Sequence, residues 1–259
     1  MFEIKIDDAK YWKNCIDSIV SLVDEGSFNI SKEGISLKAM DPSGISMVYF
    51  MAPNKIFSKY SITEKKDKEA AEKESHDSYI GLNLDNLSKI LLSSRSGEQL
   101  LMKDKENKMA LEFIGSNGHR DYTLPLIDVK KSSDNEPKIE FESFIDIKGD
   151  FFKSILKDAA QLSTYVGFKA EDDSFIISAK GDAGEVKEEF KVDKDIIQRL
   201  EAKKPSSATF NLDYLTRMVN ACPSSENISL SMKTDQPIKL SYKIGDAIVS
   251  YYLAPYMES

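Results

Sequence analysis

The chain has 259 residues, of which 41% are hydrophobic and 30% charged, and its formal net charge is −8. This composition is typical of a globular protein with a packed core, and no stretch approaches the ~18 apolar residues that a membrane-spanning helix requires. The acidic total argues against a simple basic nucleic-acid-binding protein, although a local strip of cations can act against an acidic whole.

The first predicted element is a helix that begins near Ala9. Apolar residues recur there at three- and four-residue spacing and predict a buried stripe of Trp12, Cys15, Ile16, Ile19, Leu22 and Val23. The segment ahead of this helix carries charged residues such as Glu3 and Lys5 in place of the apolar run of a signal peptide. We therefore expect an intracellular protein.

The two cysteines, Cys15 and Cys222, both fall on the apolar side of a helical pattern. In an intracellular protein this position predicts two reduced thiols in the core. A disulfide or a reactive thiol is the alternative.

The next segment, Phe28 to Phe50, alternates apolar and polar residues, turns, and alternates again, which predicts a β-hairpin. The same pattern returns 140 residues later, from Phe168 to Phe190. Asn83 to Ile90 is in turn repeated 128 residues later as Asn211 to Met218. The chain therefore contains an internal repeat.

The two offsets differ by 12 residues, so the first half must contain an insertion of about that size. The charged segment at about 64–77 has the right character for a solvated loop or a frayed helix. We predict an N-terminal domain at 1–128, a polar connector at 129–139 and a C-terminal domain at 140–259. Each domain is expected to run helix, hairpin, short helix, hairpin.

Three further helices are predicted. A long one begins near Asp150 and is expected to bury Phe151, Phe152, Ile155, Leu156 and Ala159. Two short ones are expected to begin at Asn83 and Asn211, whose side chains can cap exposed amides. Their expected buried residues are Leu87, Ile90 and Leu91, and Leu215, Met218 and Val219.

A cation recurs at the same place on each pair of helices. The repeat offsets match Lys13 with Lys153 and Lys89 with Arg217, and Lys10 and Lys157 extend two of these faces. Lysine on a helix face is also explained by solvation alone. Recurrence at paired positions favours a surface that faces one phosphate-bearing object.

The sequence contains none of the local motifs of an enzyme. There is no phosphate-binding loop, no dinucleotide-binding glycine motif and no nucleophile elbow. Two histidines and two cysteines do not make a usual zinc set. We therefore expect no catalytic residue, no metal and no cofactor. The alternative is an enzyme whose site combines dispersed carboxylates with a metal such as magnesium.

Three motifs carry a family resemblance: GISLKAMDPSGISMVYF at 34–50, TLPLIDV at 123–129 and YYLAP at 251–255. They resemble those of the proliferating cell nuclear antigen family of DNA sliding clamps, in its archaeal form. The start MFE and the segment NLDNLSKIL at 83–91 also fit, and the similarity follows the whole chain in order.

The resemblance implies an α+β clamp fold of two pseudo-repeated domains, with antiparallel sheets outside and four helices per subunit lining a ring. It implies a homotrimer that encircles double-stranded DNA without reading sequence, and a processivity factor rather than an enzyme. The alternative assemblies are a heterotrimer or a checkpoint-type ring. The cations facing DNA would be Lys10, Lys13, Lys89, Lys153, Lys157 and Arg217. The implied location is cytoplasmic, at the nucleoid, or nuclear in a eukaryote.

The resemblance also implies a pocket for peptides of DNA polymerase, clamp loader, flap endonuclease and DNA ligase. The matching positions are Met40, Ile45, Met47, Leu126, Val129, Pro237, Tyr252, Leu253, Ala254 and Pro255. Without the resemblance these would read as ordinary core and turn residues. The connector KKSSDNEPK lacks the family's apolar residues.

Subunits of the family join edge strand to edge strand. The matching stretches are Ser116–Leu124, which contains Tyr122, and Ser174–Lys180, which contains Phe175 and Ile177. An unpaired strand edge is prone to aggregation unless it is covered, and closure of a ring covers it.

Overall fold

The computed structural model describes residues 1–62, 78–129, 138–193 and 195–257. The predicted insertion at about 64–77 and most of the predicted connector lie outside the described residues. The chain divides into two compact units. As far as the described residues reach, the first unit lies within the bounds Met1–Ala39, Tyr49–Asp134 and Gly245–Ala247. The second lies within the bounds Met40–Val48, Asn135–Ile244 and Ile248–Ser259.

The described residues of the first half form two α-helices, α1 (Ala9–Val20) and α2 (Leu84–Leu91), and one turn of 3₁₀ helix at Asn54–Ile56. Its described strands are β1 (Phe2–Ile6), β2 (Glu25–Ser31), β3 (Gly34–Met40), β4 (Ser46–Pro53), β5 (Lys59–Ile62), β6 (Ser78–Asn83), β7 (Gln99–Lys105), β8 (Lys108–Gly115) and β9 (Gly118–Pro125).

The second half repeats this order with helices α3 (Gly149–Ala159) and α4 (Leu212–Asn220). Its described strands are β10 (Ser143–Lys148), β11 (Tyr165–Ala170), β12 (Phe175–Gly181), β13 (Gly184–Phe190), β14 (Ile197–Ala202), β15 (Ser206–Asn211), β16 (Asn227–Met232), β17 (Ile238–Ile244) and β18 (Ala247–Leu253).

The strand orders of the two halves match. The first half has the orders β5-β1-β7-β8-β9 and β4-β3-β2-β6, and the second has β14-β10-β16-β17-β18 and β13-β12-β11-β15. The registers given by the structure are antiparallel, as in Phe28 opposite Leu37 and Phe168 opposite Ile177. The predicted pseudo-repeat and α+β class are confirmed, with four α-helices in the described residues.

The predicted sequence of elements within each half was incomplete. It omitted the strand before each long helix and the strands between the hairpin and the short helix. For β1 the signal was present, because Phe2, Ile4 and Ile6 alternate with polar residues and are buried. The strand was missed because an alternation over only five residues is too short to stand out in the sequence.

The helices form where capping and periodicity agree. Asn83 accepts a hydrogen bond from the Asn86 amide at 2.8 Å, and Asn211 accepts from Asp213 and Tyr214 at 2.9 and 3.3 Å, as predicted. α3 begins one residue before the predicted position, at Gly149. Two predicted core residues, Phe151 and Ile90, are only half-buried because they lie at the margin of the apolar stripe.

Both cysteines are free and buried, as predicted. Burial raises the pKa of the Cys15 and Cys222 thiols to about 12, so the thiolate that reacts with oxidants and metals is scarce near neutral pH. In the described part of the chain, no helix is both long enough and apolar enough to cross a membrane.

The first unit draws on residues from far along the chain. The amide of Ala247 donates to the hydroxyl of Tyr11 at 3.3 Å, and the Lys55 ammonium lies 3.0 Å from Asp246. Gly245, with a φ of +56°, approaches Tyr11 so closely that an added Cβ would lie 2.9 Å from its ring. Gly245–Ala247 therefore complete a unit that begins at Met1.

Candidate functional site

The predicted cations of the first unit lie on α1 and α2 and differ in their ion pairing and exposure. The Lys13 ammonium pairs with Asp17, which also accepts a hydrogen bond from the Ser88 hydroxyl at 3.2 Å. The Lys89 ammonium is 4.0 Å from Asp85, and its side chain is 72% exposed. Lys10 is exposed and forms no ion pair with any described residue. Lys10 and Lys89 are therefore the accessible cations of this unit.

The second unit shows the same division. The Lys153 ammonium donates to the carbonyl of Cys222 at 2.5 Å and lies 3.8 Å from Asp150, so it is tied to the segment that follows α4. Lys157, one turn further along α3, is exposed and without an ion pair to the described residues. The cation that recurs at Lys13 and Lys153 is thus engaged within the chain in both halves.

Arg217 on α4 is held from two sides. Its Nε lies 3.2 Å from the carboxylate of Asp213, one turn earlier on the helix. Its guanidinium carbon lies 4.7 Å from the centre of the Tyr214 ring, a cation–π arrangement. The side chain is 41% exposed, so its charge remains available to a ligand.

The structure divides the predicted peptide-pocket residues by exposure. Met40 and Ile45 are exposed, at 60% and 43%. Ala254 and Pro255 are half-buried, and the Ala254 amide donates to the Ile45 carbonyl at 3.0 Å. We call Met40, Ile45, Ala254 and Pro255 the hairpin–tail surface. All four lie in the second unit.

The remaining pocket residues occupy other positions. Met47, Tyr252 and Leu253 are at most 6% exposed, so their side chains are not accessible to a peptide. Pro237 is half-buried in the turn before β17. Leu126 and Val129 are half-buried in the first unit, where the Leu126 amide donates to the Asn107 carbonyl at 3.0 Å.

A single buried carboxylate organises the turn between Met40 and Met47. Asp41 is 6% exposed and accepts hydrogen bonds from the Ser46 amide at 2.6 Å, the Ser43 amide at 3.1 Å and the Ser43 hydroxyl. Gly44 adopts a φ of +73°, which the turn requires. We call Asp41–Ser46 the Asp41 turn. It fixes the backbone on which Met40 and Ile45 are presented.

A fourth donor reaches Asp41 from α4. The hydroxyl of Tyr214 lies 3.0 Å from the Asp41 carboxylate and 2.8 Å from the Ser43 hydroxyl. Burial by itself would raise the pKa of Asp41, but the hydrogen bonds from Ser43, Ser46 and Tyr214 outweigh it and lower the pKa to about 2. The turn is therefore held by an ionised carboxylate.

We predict that Asp41→Asn lowers the free energy of unfolding by about 2 kcal/mol at pH 7. A carboxylate with a lowered pKa stabilises the fold above its unfolded pKa, near 4, and this contribution is lost as the pH falls toward 2. The difference between wild type and variant should therefore shrink below pH 4. Urea unfolding followed by circular dichroism from pH 7 to pH 3 measures it.

The matched control for this prediction is Asp172→Asn, because Asp172 is also an aspartate of the second unit but is exposed. Its substitution should change stability by less than about 0.5 kcal/mol. Equal losses in the two variants would show that Asp41 stabilises no more than a surface carboxylate does.

The described sheets end in six strands, namely β5, β9, β14, β6, β13 and β15. Two of them, β9 and β13, contain or adjoin the stretches predicted to join subunits, and no described strand pairs with their outer sides. Tyr122 lies in β9, where its ring packs edge to face on Phe113 at 5.7 Å. The Tyr122 side chain therefore packs on a face of its own sheet. The groups that the edge offers to another strand are backbone N–H and C=O groups.

The predicted edge position of Phe175 and Ile177 is corrected by the structure. Both lie in β12, between β13 and β11, and are at most 1% exposed. A strand that is apolar on both faces is typical of a sheet interior, whereas β13 carries four charged residues. The edge strand of this sheet is therefore β13, the strand after the predicted one.

The hairpins that end in these edges define which backbone groups face outward. β12 and β13 are joined by two residues between the paired Gly181 and Gly184. Paired residues alternate between hydrogen-bonded and non-hydrogen-bonded pairs, starting from the pair that closes the turn. The outward groups of β13 are therefore those of Glu185, Lys187 and Glu189. By the same argument from Gly115 and Gly118, those of β9 belong to His119, Asp121 and Thr123.

The structure adds functional candidates that the sequence did not single out. Tyr214 showed no signal, because one aromatic residue on a helix face predicts nothing about a partner 173 positions away. Asp41 could have been found, since Asp-Pro-Ser-Gly is a turn sequence in which the aspartate caps backbone amides. Among the described residues, no three potential metal-ligating side chains cluster together.

The chain matches two family models, which together cover residues 1–257. The model of the proliferating cell nuclear antigen N-terminal domain covers residues 1–135, and that of the C-terminal domain covers residues 135–257. The DNA polymerase sliding clamp of Thermococcus gammatolerans is 31% identical over 259 residues, 99% of each chain. The DNA polymerase sliding clamp of Thermofilum pendens is 29% identical over 260 residues, 100% of each chain.

Solved structures show the same fold. A crystal structure of PCNA from Thermococcus kodakaraensis matches with a TM-score of 0.88 at 25% identity, covering 99% of this chain and 100% of that one. PCNA of A. fulgidus, solved with the C-terminal region of FEN-1 bound to it, matches with a TM-score of 0.85 at 24% identity over 100% of both chains.

These comparisons confirm three predictions made from the sequence. The family is the one that the three motifs indicated, and the fold is the predicted clamp fold of two repeated domains. The relatives are sliding clamps of DNA replication rather than enzymes, which confirms the prediction of a non-enzymatic protein. The chain belongs to the proliferating cell nuclear antigen family of DNA polymerase sliding clamps.

Proposed function

We propose that three copies of this chain close into a ring that encircles duplex DNA and tethers replication and repair proteins through the hairpin–tail surface. The observation that carries the proposal is the pair of open strand edges, β9 and β13. Each edge offers three outward residues, so the β9 of one copy and the β13 of the next can form a short antiparallel ladder. Such head-to-tail contacts close when the rotation between copies fits.

The internal repeat supports this pairing. β9 has the place in the first half that β18 has in the second, and β13 has the place that β4 has in the first. Within the second unit, β18 and the Ser46–Val48 part of β4 are neighbours. Pairing β9 with β13 of another copy would repeat that arrangement between chains.

In the proposed ring the four helices face DNA phosphates through Lys10, Lys13, Lys89, Lys153, Lys157 and Arg217. Contacts to phosphates carry no sequence information, so the ring can slide along any duplex. Because the ring is held topologically, the contacts can be few and weak. The acidic total of the chain, −8, keeps non-specific attraction to DNA low away from these helices.

The freedom of these cations leads to a prediction. Lys10 and Lys157 form no ion pair with the described residues. Reversing both charges, by Lys10→Glu with Lys157→Glu, should reduce polymerase stimulation more than Lys13→Glu with Lys153→Glu. The second pair already interacts with Asp17, Asp150 and the Cys222 carbonyl. Each phosphate contact that the ring as a whole loses should also reduce the magnitude of the slope of log affinity against log salt by about 0.9.

Primer extension at a series of salt concentrations, with mass checked by light scattering, measures this difference. Equal loss from both pairs would show that engagement within the chain does not limit access to DNA. Greater loss from the Lys13 and Lys153 pair would contradict the ranking outright.

The proposed partners are DNA polymerase, clamp loader, flap endonuclease and DNA ligase. The A. fulgidus clamp that shares this fold was solved with the C-terminal region of FEN-1 bound. An exposed isoleucine and methionine beside a proline-ended tail suit aliphatic and aromatic side chains of a short peptide. We also propose a cytoplasmic location at the nucleoid, and a division into domains 1–128 and 140–259 around a connector at 129–139.

The proposed encirclement of DNA is tested by comparing how long the protein stays on circular and on linear DNA. The chain is loaded onto nicked circular DNA with a clamp loader, freed of unbound protein, and the circle is then cut once with a restriction enzyme. A ring should remain on the intact circle and leave the cut one within minutes. Equal retention on both forms would show that the chain binds DNA without encircling it.

A further inference from the structure

Tyr214 connects the two surfaces that the proposed function uses. On one side its hydroxyl lies 3.0 Å from the Asp41 carboxylate and 2.8 Å from the Ser43 hydroxyl. On the other side its ring lies 4.7 Å from the guanidinium carbon of Arg217. All four residues belong to the second unit, so the connection lies within one compact body.

We propose that Tyr214 is a positioning residue that couples peptide binding at the hairpin–tail surface to phosphate contact by Arg217. The inference rests on the proposed function, since it takes both ligands from it. The hairpin–tail surface and Arg217 both contact Tyr214 or residues bonded to it, so a peptide bound at the first should change the affinity of the second for phosphate. By linkage, any such effect is equal in both directions.

The peptide side of the coupling runs through the Asp41 turn. Asp41 gathers its donors from three residues, of which Ser43 and Ser46 belong to the turn itself and only Tyr214 comes from another element. The Tyr214 hydroxyl is therefore the bond to Asp41 that ties the turn to α4. Ile45 lies within the turn, and its carbonyl accepts a hydrogen bond from the Ala254 amide at 3.0 Å. A shift of the turn therefore moves exposed Ile45 and the tail together.

The DNA side of the coupling runs through the aromatic ring of Tyr214. Arg217 divides its charge between Asp213, 3.2 Å from its Nε, and the face of Tyr214. A phosphate that binds the other N–H groups of the guanidinium competes with Asp213 and the Tyr214 face for its charge. The aromatic ring of Tyr214 then either moves with the guanidinium or loses its cation–π contact to it. The Tyr214 hydroxyl passes this change on to Asp41.

Tyr214→Phe tests the hydroxyl and Arg217→Gln tests the cation. The probe is a fluorescein-labelled synthetic peptide with a clamp-interaction motif, and the readout is its affinity by anisotropy. Tyr214→Phe should weaken peptide binding about five-fold, because the Asp41 turn loses its hydrogen bond to α4 and part of that bond's contribution reaches the peptide surface. Arg217→Gln, which is not part of the hairpin–tail surface, should change peptide affinity about two- to three-fold in the wild-type background and not in the Tyr214→Phe background.

The matched control is Tyr165→Phe. Tyr165 lies in the same unit, its ring stacks on Tyr256 at 4.0 Å, and its hydroxyl makes no hydrogen bond to Asp41. This variant should bind the peptide as wild type does. All variants should keep the mass of wild type, which separates the coupling from a loss of assembly.

Two results would overturn the inference. One is an unchanged peptide affinity in Tyr214→Phe, and the other is an effect of Arg217→Gln that is the same in both backgrounds. Ile45→Asp, measured alongside, separates the inference from the proposed function. If Ile45→Asp abolishes binding while Tyr214→Phe is silent, the surface is right and the coupling is wrong. If Ile45→Asp is silent as well, both are overturned.

Discussion

Lys187→Pro is expected to convert an assembly of about 87 kDa, three times the 29.1 kDa chain, into single chains. Lys187 lies at the middle of the three outward residues of β13, and its side chain is exposed. Proline removes the outward N–H there without removing a hydrogen bond between β12 and β13. A three-residue ladder cannot lose its central bond without losing most of its backbone contact.

Light scattering over a concentration series measures the mass. The matched control is Lys187→Ala, which removes the same charge and keeps the N–H, and it should remain near the mass of wild type. Single chains in both variants would assign the contact to the lysine side chain. An intact assembly in Lys187→Pro would exclude β13 as the joining edge. A wild-type mass that stays near 29.1 kDa would instead indicate a member of a heterotrimer.

Ile45→Asp is expected to abolish binding of a clamp-interaction peptide, with a loss of at least ten- to one-hundred-fold. Burying one aliphatic anchor contributes roughly 1.5–3 kcal/mol, which is about that factor, and a buried unpaired carboxylate adds a further cost. Because Ile45 is 43% exposed in the free chain, the substitution should leave the fold intact. Isothermal titration measures the affinity.

Ile248→Asp is the matched control for this variant. Ile248 is also 43% exposed and also lies in the second unit, near the start of β18 and outside the hairpin–tail surface. It should bind the peptide with the affinity of wild type. Equal losses in the two variants would mean that the peptide site is not where we place it.

Much of the fold could be predicted because it depends on local signals. The spacing of Trp12, Cys15 and Ile19 predicted α1, and the two Asn-Leu-Asp segments predicted both short helices and their caps. The repeat offsets placed equivalent elements correctly in the two halves, since Lys13 and Lys153 occupy the same turn of α1 and α3.

What could not be predicted depends on contacts between distant residues. The engagement of Lys153 by the Cys222 carbonyl requires the end of α4 to approach α3, and no local pattern encodes that approach. The displacement of the edge from β12 to β13 has the same origin. Both strands fit a hairpin, and only the strand order shows that Phe175 is enclosed on both sides. The hydrogen bond from Tyr214 to Asp41 is the extreme case.

Residues near 245–253 serve both compact units, and this has a consequence for biosynthesis. Gly245–Ala247 complete the first unit through Tyr11 and Lys55, and the buried strand that follows completes the second. A polypeptide leaves the ribosome from its N-terminus, so neither unit can reach its final packing until translation has passed these positions. Prematurely terminated chains would lack part of both cores. Such fragments are therefore expected to be more sensitive to proteases than the full chain.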